Sequence, residues 1–249
     1  TVKQLESLAK EASAHQDVTP IDVSILPRPP KNDESFAAQF GEDIEQVEAV
    51  LARYPGIIRP MMLELKAPSL ALSSVAEMIA CLTQISSSAS LHTMGIERIF
   101  IEVERTSSFA FDLETACAAL KEMAFGPILF ALKIRCGGVD PSQYPSCRDV
   151  AIFLSTVLRE RCSFKATAGL HHPVRHYNEE AGVTMHGFLN VFFAALISAK
   201  FSPGPAELMT ILDDQDPHHF KFVDDGMNYG DWFVSDSDIE HIRKERALS

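Results

Sequence analysis

Residues 126–138 read GPILFALKIRCGG and contain a chain breaker, an apolar run and a charged end. The Gly-Pro pair interrupts the helical spacing before it, and the apolar run that follows ends in Lys133 and Arg135. An apolar run that carries charge only at its far end is typical of a buried strand in a parallel sheet. This stretch therefore predicts a strand whose carboxyl end is charged.

The same kind of run recurs along the chain. The predicted strands are Ile21–Leu26, Met61–Lys66, Ile99–Glu104, Ile128–Arg135 and Ser163–Thr167. The predicted helices among them are Phe36–Tyr54, Leu72–Ile85, Leu113–Ala124 and Arg148–Arg161. Strand and helix alternating every roughly 30 to 40 residues indicate βαβ units around a parallel sheet. We therefore predict a single α/β domain over residues 1–249, with a TIM-barrel-like (β/α) barrel as the first choice.

The barrel has alternatives because the pattern supports only about six strands, fewer than the eight of a complete barrel. An incomplete or distorted barrel and an open doubly wound parallel sheet both fit. Beyond the last βα unit, Met185–Lys200 predicts a buried helix, and a short helix follows to Leu212. Phe220–Val223 and Asp231–Val234 predict a hairpin, and Ser235–Arg246 predicts a polar helix. Residues 218–249 are thus expected to form an appendage.

Composition and charge exclude several classes of protein. Hydrophobic residues at 46% and charged residues at 22% are globular values, which exclude general disorder. No apolar run reaches the roughly 18 residues of a membrane span, and Thr1–Gln16 carries no pattern of a secretion signal. A net charge of −12 disfavours nucleic acid and anionic membranes as partners. Five cysteines without a CxxC pair predict reduced thiols and a cytoplasmic location; the oligomeric state is open.

Polar side chains two positions apart end four of the predicted strands. Residues two apart share one face of a strand, and the carboxyl ends of parallel strands form the ligand-binding edge of α/β enzymes. Burying an ion without a partner costs roughly several kcal/mol, so these groups must pair, bind water or bind a ligand. We predict a small-molecule site here, with a salt-bridge layer as the structural alternative. The catalytic candidates are Lys165, Lys133, Glu102 and Glu104, and the binding candidates are Glu64, Lys66, Arg135 and Thr167.

The segment after the last strand adds a second group of candidates. Residues 165–176 read KATAGLHHPVRH, in which small residues would let backbone N–H groups approach a ligand. We expect His171 to move protons at the rim of the site, and His172 and Arg175 to bind substrate. A turn in which one histidine only binds the backbone is the alternative. Gly137-Gly138, after the preceding strand, predict an anion-binding nest.

His186 and Asn190 are four residues apart and share one face of a predicted helix. Two interpretations are open for this pair. Either both side chains bind substrate in the site, or they are polar core groups whose hydrogen bonds are satisfied internally.

The strings KATAGLHHP (residues 165–173) and MHGFLN (residues 185–190) resemble a bacterial protein family without an established reaction. The resemblance extends over roughly the second half of the chain. A strand lysine followed by small residues, on two successive strands, is similar to Schiff-base aldolases of the deoxyribose-phosphate aldolase type. The matching lysines are Lys133 and Lys165. This likeness implies that one lysine attacks a carbonyl while the second cation favours its neutral amine form. Arg135 and the rim histidines depart from the aldolase pattern.

Three functions follow from these residues. The first is an enzyme, of lyase or aldolase type, that acts on a small anionic or carbonyl-bearing metabolite. The second is a metal-dependent enzyme in which carboxylates of the strand ends bind magnesium, manganese or zinc together with a rim histidine. The third is a non-catalytic protein that binds a small anion. No cofactor is predicted, because no GxGxxG or GxxxxGK[ST] string occurs; a divalent metal is an open alternative.

Overall fold

The structure, a computed structural model, describes residues 2–15, 19–29 and 36–246. The helices are α1 Val2–Ser13, α2 Phe36–Arg53, α3 Val75–Ser86, α4 Ala89–Thr93, α5 Phe109–Glu122, α6 Cys147–Arg159, α7 Phe188–Phe201, α8 Pro205–Asp213 and α9 Asp236–Arg246. The strands are β1 Ile21–Ile25, β2 Ile58–Lys66, β3 Arg98–Glu102, β4 Leu129–Arg135, β5 Phe164–Thr167, β6 His176–Asn178, β7 Val183–Met185, β8 Lys221–Val223, β9 Gly226–Tyr229 and β10 Trp232–Ser235. No described helix is both long enough and apolar enough to span a bilayer.

The main sheet has five strands in the order β1-β2-β3-β4-β5. This confirms the α/β class and the predicted parallel strands, and it corrects the prediction of a complete barrel. Within the described residues β1 pairs only with β2 and β5 only with β4, so the sheet is open. The strand order also lacks the reversal that defines a doubly wound sheet. A complete barrel is wrong for the described residues, because β5 is followed there by short antiparallel hairpins and helices. The open five-strand sheet agrees with the incomplete barrel, one of the alternatives.

By its internal contacts the chain divides into two compact units, and the prediction of one domain over residues 1–249 stays a prediction. The first unit comprises the described residues up to Glu104 together with Ala118–Ala131. In it β1, β2 and β3 pair in parallel, with a shift of register between Val23 and Ser24. The shift lies opposite Pro60, which has no N–H to donate to the ladder.

The second unit comprises Arg105–Cys117 and Leu132–Ser249. Here β5 pairs with the end of β4, and α6, α7 and α8 pack against one another. Helix α6 begins at a capping box in which Ser146 and Asp149 satisfy each other's backbone N–H groups. Helix α7 is buried on most of its surface, as its apolar sequence predicts.

The carboxyl-terminal part of this unit differs from the prediction in one strand. The predicted two-strand hairpin is a three-strand antiparallel sheet in the order β10-β9-β8. The segment that was expected to be a loop contains β9, which pairs with both neighbours. A T-shaped contact of 5.2 Å between the ring centroids of Phe220 and Phe193 connects this region to α7. The hairpin β6–β7 was not predicted, because its three-residue strands are too short to show periodicity.

Candidate functional site

Lys133 and Lys165 are register partners on the adjacent parallel strands β4 and β5. Such partners lie about 4.8 Å apart and point to the same face of the sheet. Both residues are buried, with 4% and 7% of their surface exposed. Two neighbouring ammonium groups in a buried position are unfavourable unless anions compensate them or one amine is neutral. Each lysine also interacts with other groups of the protein.

Arg135 and Thr167 form the next register pair on the same face, at the strand ends. The loops after the two strands then approach each other closely. The N–H of Cys136 donates to the carbonyl of Thr167 at 2.7 Å. A Cβ on Gly137 would lie 2.6 Å from the Cα of Gly169, so a side chain at this point would force the loops apart. These glycines are therefore required for packing between the two loops.

The backbone at Ala168 and Gly169 is left-handed, with φ of 61° and 68°. An alanine in this region is strained by roughly 1–2 kcal/mol. Strain of this kind is concentrated at functional sites when the surrounding structure enforces it. The loop is thus held in a costly conformation directly after the strand that carries Lys165.

The nest predicted at Gly137-Gly138 is occupied by a side chain of the protein. Gln143 Oε1 accepts the backbone N–H groups of Val139 and Asp140, at 2.7 and 3.3 Å. A Cβ on Gly138 would overlap this same amide group. The two N–H groups that follow Gly138 are therefore satisfied internally, and the anion-binding role of Gly137-Gly138 stays a prediction.

The rim loop, residues 171–175, carries His171 and His172 exposed to solvent. The His172 ring contacts that of His176, with centroids 3.9 Å apart. The start of α7 fastens the backbone of the loop: Phe188 and Leu189 donate their N–H groups to the carbonyls of His172 and Pro173, each at 2.9 Å. The free N–H groups at the start of α7 are thus used to position the loop.

Gly187 precedes α7 as its N-cap, and it allows this attachment. A Cβ on Gly187 would overlap the Cα of Val174 and the carbonyl oxygen of Pro173. The backbone of the rim loop therefore packs directly against the backbone at the start of α7.

Asn190 and His186 are both fully buried and form hydrogen bonds within the protein, as the second of the two interpretations expects; the substrate-binding roles of both stay predictions. Asn190 Oδ1 accepts the N–H of Arg175 at 2.8 Å, and its Nδ2 donates to the carbonyls of Ile211 and Asp214 at 2.7 and 2.8 Å. His186 Nε2 lies 2.8 Å from the carbonyl of Pro145. Because only a protonated nitrogen can donate to a carbonyl, Nδ1 carries the lone pair.

Arg175 is engaged within the protein. Its Nε lies 2.8 Å from Asp213 Oδ1, and its Nη1 lies 3.4 Å from His186 Nδ1. Burial lowers the pKa of His186 to about 4, the Pro145 carbonyl opposes this shift, and the charge of Arg175 adds to it. Arg175 and His186 thus hold the rim loop in place through contacts within the protein. The proposed substrate-binding roles of both residues stay predictions.

The carboxylate candidates lie in the first unit. Lys66 and Glu102 are register partners on β2 and β3, so they share a face with Glu64. The Lys66 ammonium pairs with Glu104 Oε1 at 2.8 Å, and Glu64 accepts a hydrogen bond from Ser24 Oγ at 2.7 Å. The predicted shared face of these charged residues is present. Their predicted roles in binding and proton transfer stay predictions.

Sequence patterns missed Arg105, which follows Glu104 directly. Its Nη2 donates to the carbonyl of Ser142 at 2.9 Å, in the turn after β4. Burial raises the pKa of the Cys136 thiol to about 12, and the charge of Arg105 partly opposes this. Arg105 therefore lies beside the loop that follows Arg135. The one signal in the sequence that could have indicated Arg105 was its position directly after the alternating pair Glu102 and Glu104.

Asp214 forms a second polar cluster that the sequence did not indicate. Its Oδ2 accepts hydrogen bonds from His219 Nδ1 and Tyr229 Oη, both at 2.7 Å. The contact with Asp214 raises the pKa of His219. Burial would raise the pKa of Asp214, but its hydrogen bonds from Tyr229, the Asp216 N–H and His219 outweigh burial and lower it. This cluster connects the end of α8 to β9.

Metal ligands and reactive thiols are the other chemistry that such a site could use. Within the described ranges, no three or more His, Cys, Asp or Glu side chains are grouped as a metal ion would require. The five cysteines are free thiols. Burial raises the pKa of both Cys81 and Cys147 to about 11, which leaves these two thiols protonated at neutral pH. The predicted divalent metal stays a prediction.

The fold and these contacts define an α/β protein with an open parallel sheet and a cationic group at the ends of β4 and β5. No family profile, no curated protein and no solved structure matches this chain significantly. The two resemblances drawn from residues 165–190 and from the strand lysines therefore stay predictions.

Proposed function

We propose that this chain is an enzyme that acts on a small anionic or carbonyl-bearing metabolite through a Schiff base on Lys165. One observation carries the proposal: Lys133 and Lys165 are buried register partners at the ends of two adjacent parallel strands. A neighbouring cation favours the neutral form of an amine, which is the nucleophilic form. Carboxyl ends of parallel strands are the usual place for ligands in α/β folds.

The proposed reaction begins at the Lys165 amine. This amine attacks the carbonyl carbon of the substrate, and the resulting carbinolamine loses water to give an iminium ion. The iminium withdraws electrons from the adjacent carbon, so that a C–H bond there can lose its proton, or a C–C bond can break and release a second carbonyl compound. Either step leaves an enamine, which protonation and hydrolysis convert to product and free lysine. Arg135 and Thr167 would bind the substrate beside the lysines, and His171 would carry the proton at the rim.

Borohydride trapping tests this proposal on the unmodified protein. The protein is incubated separately with glycolaldehyde, glycolaldehyde phosphate, glyoxylate and pyruvate, reduced, and mapped by peptide mass spectrometry. We expect a reduced adduct on Lys165 with at least one probe. Adducts confined to exposed lysines such as Lys244, or no adduct with any probe, would overturn the Schiff-base proposal.

Two variants of Lys133 make the test sharper. Lys133→Met removes the neighbouring cation, so labelling of Lys165 should slow by about tenfold. Lys133→Arg keeps the charge and should retain most of the labelling. Equal labelling in both variants would show that Lys133 does not activate its neighbour. Circular dichroism verifies that each variant is folded.

A non-catalytic anion-binding protein is the second candidate. The same group of cations favours it, since Lys133, Arg135 and Lys165 lie at the ends of two neighbouring strands. If the protein only binds anions, calorimetry should detect binding of inorganic phosphate, and Lys165→Ala should weaken that binding. No carbonyl probe should then form an adduct. An adduct on Lys165 would contradict this candidate.

A further inference from the structure

Arg105 is partly buried, with 23% of its side chain exposed, and among the described residues its charge has only a distant partner. The closest carboxylate oxygen in the described residues is Asp149 Oδ2, 3.8 Å from Nη1. Other arginines bind carboxylates more closely although they are more exposed. Arg28, Arg59 and Arg159 lie within 2.6–2.9 Å of a carboxylate with 48–62% of their side chains exposed.

Asp149 is not free to move closer to Arg105. Its Oδ2 accepts from the backbone N–H and the hydroxyl of Ser146, at 2.9 and 2.8 Å, and so caps the start of α6. The guanidinium therefore keeps donors that no carboxylate in the described residues binds at close range.

The position of Arg105 indicates what the remaining N–H groups of its guanidinium can bind. The guanidinium is bound to the turn after β4 through the Ser142 carbonyl and lies close enough to Cys136 to act on its thiol. Cys136 follows Arg135 directly, so Arg105 is located at the same strand end as the proposed substrate. A planar guanidinium with unused N–H groups is the group best suited to bind a carboxylate or phosphate through two parallel hydrogen bonds.

We propose that Arg105 binds the anionic group of the substrate, a carboxylate or a phosphate. The inference rests on the proposed function for its location and extends it to the substrate class. The enzyme should prefer carbonyl compounds that carry an oxyanion group to neutral ones of the same size. Arg105 acts in binding and takes no part in bond breaking.

A matched set of probes tests this on the full chain. Glycolaldehyde and glycolaldehyde phosphate differ only in the phosphate, and glyoxylate supplies a carboxylate. In Arg105→Gln the rate of Lys165 labelling should fall about tenfold or more with one or both anionic probes, the usual weight of a charge-assisted hydrogen bond. With neutral glycolaldehyde it should change by less than about twofold. Arg159→Gln, which removes an exposed arginine, should leave all three rates unchanged.

The outcomes separate the two proposals. A fall in rate that is equal for neutral and anionic probes, or no fall for either anionic probe, overturns the role of Arg105. If no probe labels Lys165, the Schiff-base proposal fails, and calorimetry with inorganic phosphate and with glyoxylate decides on Arg105 independently. Binding of either anion that Arg105→Gln weakens about tenfold supports the anion site. Equal binding by both proteins, or no binding by the native protein, overturns it.

Discussion

Asn190 Oδ1 accepts the backbone N–H of Arg175 at 2.8 Å, which joins the rim loop to the first turn of α7. The amide nitrogen of the same side chain binds two carbonyls at the end of α8. One fully buried side chain thus fixes three segments that are distant in sequence. The exposed histidines of the rim loop depend on this attachment for their position.

Replacement of the Asn190 side chain should lower the free energy of unfolding. Asn190→Ala leaves one N–H and two carbonyl groups without their partner, and an unsatisfied buried polar group costs about 1–3 kcal/mol. We expect the free energy of unfolding to fall by about 3 kcal/mol or more in urea denaturation. Asn178→Ala, which removes a single turn hydrogen bond to the Ala181 N–H, should cost about 1 kcal/mol. Equal losses in the two variants would contradict the role of Asn190 as a central attachment.

A methyl group at Gly187 should disrupt the same region sterically. Gly187→Ala places its Cβ into the backbone of Val174 and Pro173, which cannot move aside as a flexible side chain can. We expect a loss of about 2–3 kcal/mol or more in the free energy of unfolding. The control is Gly41→Ala in α2, where a Cβ meets nothing within 4 Å. That variant should gain about 0.5–1 kcal/mol from helix propensity, and a gain at both positions would contradict the close contact.

His186 should make the protein less stable in mild acid. Burial holds the pKa of this imidazole near 4 in the folded chain, whereas an unfolded histidine titrates near about 6.5. The unfolded chain therefore binds a proton between these values that the folded chain does not, so stability falls as the pH drops from 6.5 towards 4. The full effect is about 3 kcal/mol.

Urea denaturation between pH 7.5 and pH 4.5 measures the contribution of His186, with pH values chosen to span most of that window. The difference between the native protein and His186→Gln should shrink as the pH falls. His92→Gln, at an exposed histidine of α4, is the control for the substitution itself. A constant difference for His186→Gln would show that the fold does not lower the pKa of this imidazole.

The contribution of His219 to stability should change with pH in the opposite direction to that of His186. Its hydrogen bond with Asp214, and that carboxylate's charge, raise its pKa, so its ion pair contributes fully below the unfolded value of about 6.5. The contribution is lost as the pH rises through the raised folded value. The advantage of the native protein over His219→Gln in urea should therefore be larger at pH 5.5 than at pH 8.5. His218→Gln, which leaves the contact between His219 and Asp214 intact, is the control.

Local patterns in the sequence were sufficient for the strands and for their charged faces. Side chains two positions apart lie on one face whatever the strand contacts, so the spacing of Lys133 and Arg135 was enough to assign both to one face. The α/β class and the positions of the five parallel strands were predicted for the same reason. The extent of the sheet could not be predicted in this way, because closure of the sheet into a barrel depends on whether further strands follow β5.

Only the tertiary structure decided which polar groups are satisfied within the protein. His186 binds the carbonyl of Pro145, 41 residues earlier, and Asn190 binds that of Ile211, 21 residues later. Gln143 binds the N–H groups of Val139 and Asp140 just after the glycine pair, and Arg105 binds the Ser142 carbonyl in the turn after β4. Hydrophobic periodicity and secondary-structure propensity depend on a few neighbouring residues, whereas the hydrogen-bond partner of a buried side chain depends on the path of the whole chain. The sequence by itself determined which face of each strand is charged, and the tertiary structure determined which of those charges the protein already uses.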